Sequence, residues 1–238
     1  VLWFLTGAAL VVLVLRFLHG PGSVSNLTDM LPWGLWKGVG VVALVPIGGA
    51  GFTLVMLAHV FGLRRYRPLV RGAVLMALIW YAGVGAGLAV DIGVWWRIAF
   101  PVFHWQYNSV LFEVAWCVML YLAVLVCELG QPLAERFGWT RLQKLWRRLT
   151  PPLAIFGICL STLHQSSLGT LFLATPFRLH PLWHTDLLPL LFFLSSLSAG
   201  CLAISLVAVL VHRLYGKEPP MPALAGLARI AAWLIAAT

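Results

Sequence analysis

Between Leu160 and Thr170 the chain reads Leu160-Ser161-Thr162-Leu163-His164-Gln165-Ser166-Ser167-Leu168-Gly169-Thr170, a polar stretch set between long apolar segments. Unpaired polar groups facing hydrocarbon cost several kcal/mol each, so this stretch must line a protein-enclosed cavity or a helix–helix contact. His164 and Gln165 lie near the middle of their apolar segment, flanked by Ser161 and Ser166. A carbonyl-bearing ligand such as a quinone needs a hydrogen-bond donor at each oxygen and an apolar channel for its tail. A protonatable histidine together with a carboxylate would supply donors and protons. The plainer alternative is a histidine whose hydrogen bonds are purely structural.

The carboxylate is Glu113, about one turn inside the apolar run 109–129. Ionising an isolated carboxylate there is costly, so it calls for a partner or a proton. Ser109, Glu113 and Cys117 recur every four residues, which puts them on one helical face and makes that face the expected inner one. Asp91 ends the preceding apolar run, where it reads either as interfacial and solvated or as part of the Glu113 cavity; Tyr81 lies deeper, and its need for one hydrogen-bond partner could be met by structure alone. Bis-histidine haem would require histidines on facing helices at matching depth. Only His59 and His212 meet that loosely, which makes haem the weaker expectation.

These groups must be positioned by membrane helices. Hydrophobic residues make up 61% of the 238 and charged residues 10%, with mean hydropathy +0.95, whereas soluble domains carry about 25% charge. Apolar runs near the length that spans a bilayer recur at 1–18, 38–61, 69–90, 109–129, 152–175, 187–211 and 222–238. The expected fold is all-α, a single polytopic transmembrane helical bundle of about seven spans. The chain begins at Val1 and stops at Thr238 inside apolar runs, so it is read as cut at both ends. The sequence Gly83-Val84-Gly85-Ala86-Gly87 falls within a span, with no preceding strand; helix packing through small residues is the expectation there, not a nucleotide loop.

The net charge of +9 is a topology signal and not a nucleic-acid footprint. Arg64, Arg65, Arg67, Arg71, Arg136, Arg141, Lys144, Arg147, Arg148, Arg213 and Lys217, 11 of the 16 Lys and Arg, fall in alternate loops and hence on one side. The other side keeps Arg16, Lys37, Arg97 and Arg178, and Arg229 lies within the last run. The basic side is expected to face the cytoplasm and contact anionic lipid. The basic segment 130–151 alternates Leu142, Leu145, Trp146 and Leu149 with Arg141, Lys144, Arg147 and Arg148. It reads equally as an interfacial amphipathic helix or as a plain connector. The opposite loops, His19 to Trp36, Trp95 to Asn108 and His180 to His184, are rich in aromatics and histidine. They suit either a membrane interface or a docking lid for an extramembrane partner. Cys117, Cys127, Cys159 and Cys201 all lie in predicted spans without ligating spacing and read as apolar packing residues, so any iron–sulfur cluster must sit on a partner.

Several motifs together resemble one family. They are Gly22-Ser23-Val24-Ser25-Asn26-Leu27, Pro32-Trp33-Gly34-Leu35-Trp36, Tyr66-Arg67-Pro68-Leu69-Val70-Arg71, Asp91-Ile92-Gly93, Asn108-Ser109-Val110-Leu111-Phe112-Glu113, His164-Gln165-Ser166-Ser167-Leu168-Gly169 and His180-Pro181-Leu182-Trp183. In order, across most of residues 17–197, they resemble the NrfD-like membrane subunits, the family of the polysulfide reductase membrane subunit. The nearest likeness is to the HybB-type membrane subunits of periplasmic nickel–iron uptake hydrogenases. The resemblance implies an eight-to-ten-helix subunit of a bacterial or archaeal inner membrane, without haem or iron–sulfur cluster of its own, that binds menaquinone or ubiquinone. It implies a periplasmic iron–sulfur electron-transfer subunit and a catalytic oxidoreductase subunit, a nickel–iron hydrogenase by the nearest likeness, as partners. The quinone pocket would lie in the bundle 38–175 near the periplasmic face. Glu113 and His164 would exchange protons there, with Tyr81, Asp91, Asn108 and Gln165 around the ring. One departure stands out: hydrogenase relatives often carry another glutamate in the helix matching span six, where Leu206–Val211 is wholly apolar. A purely structural anchor is the alternative from another class, and a transporter is weaker still.

Overall fold

The computed structural model describes residues 1–28, 30, 38–175 and 180–238. The Pro32-Trp33-Gly34-Leu35-Trp36 motif, Lys37 and Arg178 lie outside the described residues. The fold is all-α, with no strand among the described residues. Eight helices carry the argument: α1 (Leu2–His19), α2 (Leu44–Val55), α3 (Arg67–Asp91), α4 (Val110–Glu128), α5 (Gly130–Arg136), α6 (Thr140–Leu173), α7 (Leu188–Leu214) and α8 (Met221–Ala236). Wider π-type turns, Gly38–Ala43 and Met56–Val60, extend α2 at both ends.

Among the described residues, five helical stretches are long and apolar enough to cross a membrane: Leu2–His19, Gly38–Val60, Arg64–Asp91, Val110–Arg136 and Leu188–Leu214. The chain is a multi-pass membrane protein. The remaining two expected spans are helices as well. In α6 the Ser161–Ser167 polar face lowers the mean hydropathy, and α8 is only 16 residues long, about 24 Å at 1.5 Å per residue.

The fifth expected span starts much earlier than its apolar run. Helix α6 begins at Thr140 and runs through Pro151 and Pro152. The two prolines remove the amide donors that would satisfy the carbonyls of Arg147 and Arg148. That loss falls in the charged end of the helix, where polar surroundings can replace it. The segment 140–150 is therefore helical and continuous with the span. Leu142, Leu145 and Leu149 stay exposed, while Trp146 turns inward against Gly130 of α5.

Tertiary contacts bring the basic loops to one end. Arg71 at the start of α3 pairs with Glu135 of α5 at 3.0 Å, and Tyr66 and Arg65 abut Gly226 of α8. At the other end Arg16, 3% exposed, donates from its guanidinium to the carbonyls of Val90 and Ile92 where α3 terminates. A cation on the last carbonyls of a helix meets the negative end of its dipole. Arg16 is the one buried residue of α1, which otherwise lies outside the bundle. Replacing Arg16 with Met, which keeps the apolar stem, is expected to speed amide exchange at Ile92 about tenfold, since a charged hydrogen bond contributes about 1.5–3 kcal/mol. Hydrogen exchange with mass spectrometry reads this directly.

Two apolar clusters fill the bundle. One joins α2, α3, α7 and α8 through Leu54, Tyr66, Met76, Ile204 and Leu227. The other joins α2, α3, α4 and α6 through Phe52, Tyr81, Tyr121, Leu125 and Leu168. The close approaches rest on Gly48 against Tyr81, Gly51 against Ala77, Gly157 against Phe52 and Gly169 against Leu188 and Pro189. Gly83, Gly85 and Gly87, expected as packing positions, meet nothing within 4 Å. Among the described residues, that part of α3 turns its small residues away from its neighbours. Cys117 and Cys201 are buried as packing residues should be, whereas Cys159 is exposed on the outer face of α6.

Candidate functional site

The polar stretch of α6 divides into two groups with different exposure. The first is buried where α2, α3, α4 and α6 meet. His164 and Tyr81 are 0% exposed and Gln165 is 2%. The Nδ1 of His164 lies 2.7 Å from the carbonyl oxygen of Leu160. A carbonyl only accepts, so Nδ1 carries the proton and Nε2 of the neutral ring is the acceptor. The Tyr81 hydroxyl donates to that Nε2, and the Gln165 amide nitrogen lies 2.9 Å from it. The same amide nitrogen donates to the Val45 carbonyl at 3.3 Å. That carbonyl fixes which end of the amide is nitrogen.

Tyr121, which sequence reasoning passed over, completes the wall of this group. Its ring lies 4.5 Å from that of Tyr81 and 5.3 Å from that of His164, centroid to centroid, and its hydroxyl donates to the Gly48 carbonyl. Tyr121 falls four residues after Cys117, so the periodicity that joined Ser109, Glu113 and Cys117 would have reached it one turn further on. Gly48 and Gly49 let the α2 backbone approach this wall: Ser161 Oγ donates to the Gly49 carbonyl, and a Cβ there would come 2.6 Å from the Gln165 amide nitrogen.

The second group is accessible. Glu113 is exposed at the surface of this chain, and its Oε1 accepts a 2.7 Å hydrogen bond from Ser167 Oγ, itself 5% exposed. The expected inner face of α4 is thus graded: Ser109 is half-buried, Glu113 exposed, Cys117 and Tyr121 buried. Glu113 is not enclosed as predicted: it sits in the first turn of α4, one turn before the buried Cys117. Ser109 caps that turn, accepting from the Phe112 amide.

Before the cap, Trp105, Gln106, Tyr107, Asn108 and Ser109 line an open hollow of about 360 Å³. Trp116 Nε1 donates to the Pro101 carbonyl at 2.9 Å and holds this loop against α4. Asn108 is exposed in the hollow and separate from the buried group. Asp91 is the last residue of α3, between the two carbonyls held by Arg16. Arg16 carried a readable signal, a lone cation closing an apolar run.

Beside this buried group, Gln165 lines a cavity of about 20 Å³. The outer hollow is within the range of about 300–1,000 Å³ usual for small-molecule sites. On α4 the steps Ser109, Glu113, Cys117, Tyr121, and on α6 the steps Ser167, His164, lead from the hollow inward at one turn each. The arrangement is a surface carboxyl–hydroxyl pair backed by a buried histidine–tyrosine pair. Among the described residues no three His, Cys, Asp or Glu converge to hold a metal ion.

The family model described as polysulphide reductase, NrfD, matches residues 23–238. A protein of Nitratidesulfovibrio vulgaris (strain Hildenborough) is 42% identical over 205 residues, 86% of this chain and 53% of its own length. The Escherichia coli K12 protein named "Probable Ni/Fe-hydrogenase 2 b-type cytochrome subunit" is 36% identical over 80% of this chain and 50% of its own length. The menaquinone reductase integral membrane subunit of the same Nitratidesulfovibrio vulgaris strain is 25% identical over 82% of this chain and 49% of its own length. The chain spans about half the length of these relatives.

Proposed function

This chain belongs to the NrfD, polysulphide reductase, family, and from that premise we propose that it is the quinone-reactive membrane subunit of a respiratory oxidoreductase complex. It passes electrons between a periplasmic iron–sulfur subunit and membrane menaquinone or ubiquinone, in a bacterial or archaeal cytoplasmic membrane. The hollow of Trp105–Ser109 then faces the periplasm and the basic end the cytoplasm, in keeping with the charge asymmetry. The catalytic partner is of nickel–iron hydrogenase type, on the strength of the Escherichia coli relative's name.

The single observation that carries the reading is the Ser167–Glu113 pair, one helical turn beyond Ser109, which lines the aromatic-walled hollow. Quinone supplies the two-electron, two-proton chemistry when bound. The chain's own part is to place proton donors at the ring oxygens. Glu113 holds the exchangeable proton at its carboxyl, and Ser167 fixes the carboxyl's orientation by donating to Oε1. Asn108 offers an amide donor from the hollow. The buried Tyr81–His164 pair, with Gln165, holds a second proton inventory one turn deeper, and Asp91 lies where α3 ends at the same face of the bundle.

The assembled complex is expected to reduce a soluble dye through its catalytic partner with or without a quinone-site inhibitor, while that inhibitor abolishes quinone turnover. Full quinone turnover in the inhibitor's presence would leave only a structural anchor. The Escherichia coli relative's name includes a b-type cytochrome. For this chain a pyridine haemochrome assay on the purified subunit is expected to give no stoichiometric b haem. In this chain His59 is exposed, and His212 Nδ1 donates to the Ala208 carbonyl at 2.7 Å. A stoichiometric haem signal would move the redox chemistry to those two histidines.

A further inference from the structure

The first part of α6, residues 140–150, is held in one orientation by α5. Trp146 abuts Gly130, Gln143 Nε2 donates to the Ala134 carbonyl at 3.0 Å, and Thr150 Oγ1 lies 3.0 Å from Gln131 Oε1. With that face taken, Leu142, Leu145 and Leu149 stay 39%, 48% and 36% exposed. Arg141, Lys144 and Arg148 are exposed beside them. Both sets recur at i, i+3 and i+7, offset by one residue, so an apolar stripe and a cationic stripe run side by side. None of the three cations forms an ion pair among the described residues; the one carboxylate of α5, Glu135, is taken by Arg71.

The apolar stripe continues into the span. Leu142, Leu149, Phe156 and Leu163 fall at seven-residue intervals, close to two helical turns, and all four are exposed. Depth follows from the register of α6 on α4. Ser167 bonds Glu113 in the first turn of α4 and so marks the level of the far boundary. Counting back from Ser167 at 1.5 Å per residue puts Arg148, Lys144 and Arg141 about 29, 35 and 39 Å away. A bilayer's hydrocarbon core is about 30 Å thick, and about 40–45 Å with its headgroup layers. The three cations therefore fall across the headgroup layer at the basic end of the bundle, with the leucines beside them at the acyl boundary.

We propose that residues 141–149 form a binding site for the anionic phospholipid of that leaflet. Arg141, Lys144 and Arg148 hold the headgroup phosphate, and Leu142, Leu145 and Leu149 pack along an acyl chain. Charge selects the occupant: an anionic lipid brings an anion and an apolar chain in one molecule, at the depth where the two stripes lie. A connector in water would leave the leucine stripe bare, and a zwitterionic lipid would leave the cations without net countercharge. Arg147 falls two residues before Leu149, hence on the opposite flank of the helix, and takes no part. The inference does not depend on the redox partners or on quinone.

Photo-cross-linking of the assembled complex tests it, in vesicles of equal parts phosphatidylcholine and phosphatidylglycerol. A trace of either lipid carrying a diazirine in its acyl chain is added in turn, and labelled residues are mapped by mass spectrometry. Label on residues 142–149 is expected to be about fivefold higher with phosphatidylglycerol, the order that one basic residue near an anionic surface contributes. Arg141→Gln, Lys144→Gln and Arg148→Gln together should abolish that preference. Arg147→Gln, Arg213→Gln and Lys217→Gln together remove the same charge from the same end and should keep it. Equal labelling by the two lipids would make the contact unselective and overturn the proposal. Absence of label on residues 142–149 would do the same, leaving the segment to water or to protein. Equal loss in the two triple variants would reduce the effect to bulk charge and also overturn it. The wild-type comparison decides alone if a variant does not assemble.

Discussion

In the assembled complex Glu113→Gln is expected to lower quinone turnover about 100-fold while leaving dye reduction by the catalytic partner unchanged. General acid–base groups contribute about 10²–10⁴ to rate, and the lower bound applies because water can reach an exposed carboxyl and substitute in part. The change is nearly isosteric. Glutamine keeps an oxygen to accept from Ser167 Oγ, so the 2.7 Å contact and the first turn of α4 survive; only the exchangeable proton is lost. Steady-state quinone reduction measured across pH reads the outcome. Full turnover at every pH would make Glu113 a packing residue and would remove the proton-exchange mechanism. Ser167→Ala should give a smaller loss, since the carboxyl keeps its proton but not its fixed orientation.

The largest expected effect on stability is at Gly169. A Cβ there would lie 2.6 Å from Pro189 Cα, 2.7 Å from the Leu188 carbonyl oxygen and 2.8 Å from Pro189 N. All three are backbone atoms at the first turn of α7, so no side chain can rotate aside and the helices must part. Overpacking costs about 1–3 kcal/mol, and Gly169→Ala belongs at the top of that range because α6 and α7 are in close contact there. Gly83→Ala is the matched control. Its Cβ would meet nothing within 4 Å, and relief of glycine's backbone entropy in a helix interior should stabilise by about 0.5–1 kcal/mol. Thermal unfolding in detergent should therefore move in opposite directions for the two variants. A lower midpoint for Gly83→Ala would mean that this part of α3 packs against something beyond the described residues.

Much of the architecture was legible in the chain because hydrocarbon imposes simple rules. Apolar length dictates spans, and all seven runs form helices, most with ends within two or three residues of those expected. The alternation of basic loops put them on one end, and the Arg71–Glu135 and Arg65–Gly226 contacts bring those loops together. The polar run of α6 announced an inward face because no other placement satisfies its groups in a membrane. What the sequence left open was which polar groups meet. Spacing put Glu113 on one face with Cys117, yet burial along that face depends on where neighbouring helices close, a property of three helices at once. His164 and Glu113 read as one site and lie in two, because Tyr81 and Gln165 occupy the histidine's acceptor nitrogen and leave the carboxyl to Ser167.

The glycines make the same point. Gly83, Gly85 and Gly87 have the composition of a packing motif and pack on nothing among the described residues, while isolated Gly48, Gly157 and Gly169 carry the close contacts. Helical periodicity fixes direction around one axis only. The crossing points of axes are set by tertiary packing, and those crossings decide which small residue is needed and which hydroxyl finds a carbonyl. The sequence by itself determined an all-α membrane chain with an inward polar face on α6. The separation of an accessible carboxyl pair from a buried histidine–tyrosine pair was decided by tertiary structure, where α2 closes on α3, α4 and α6.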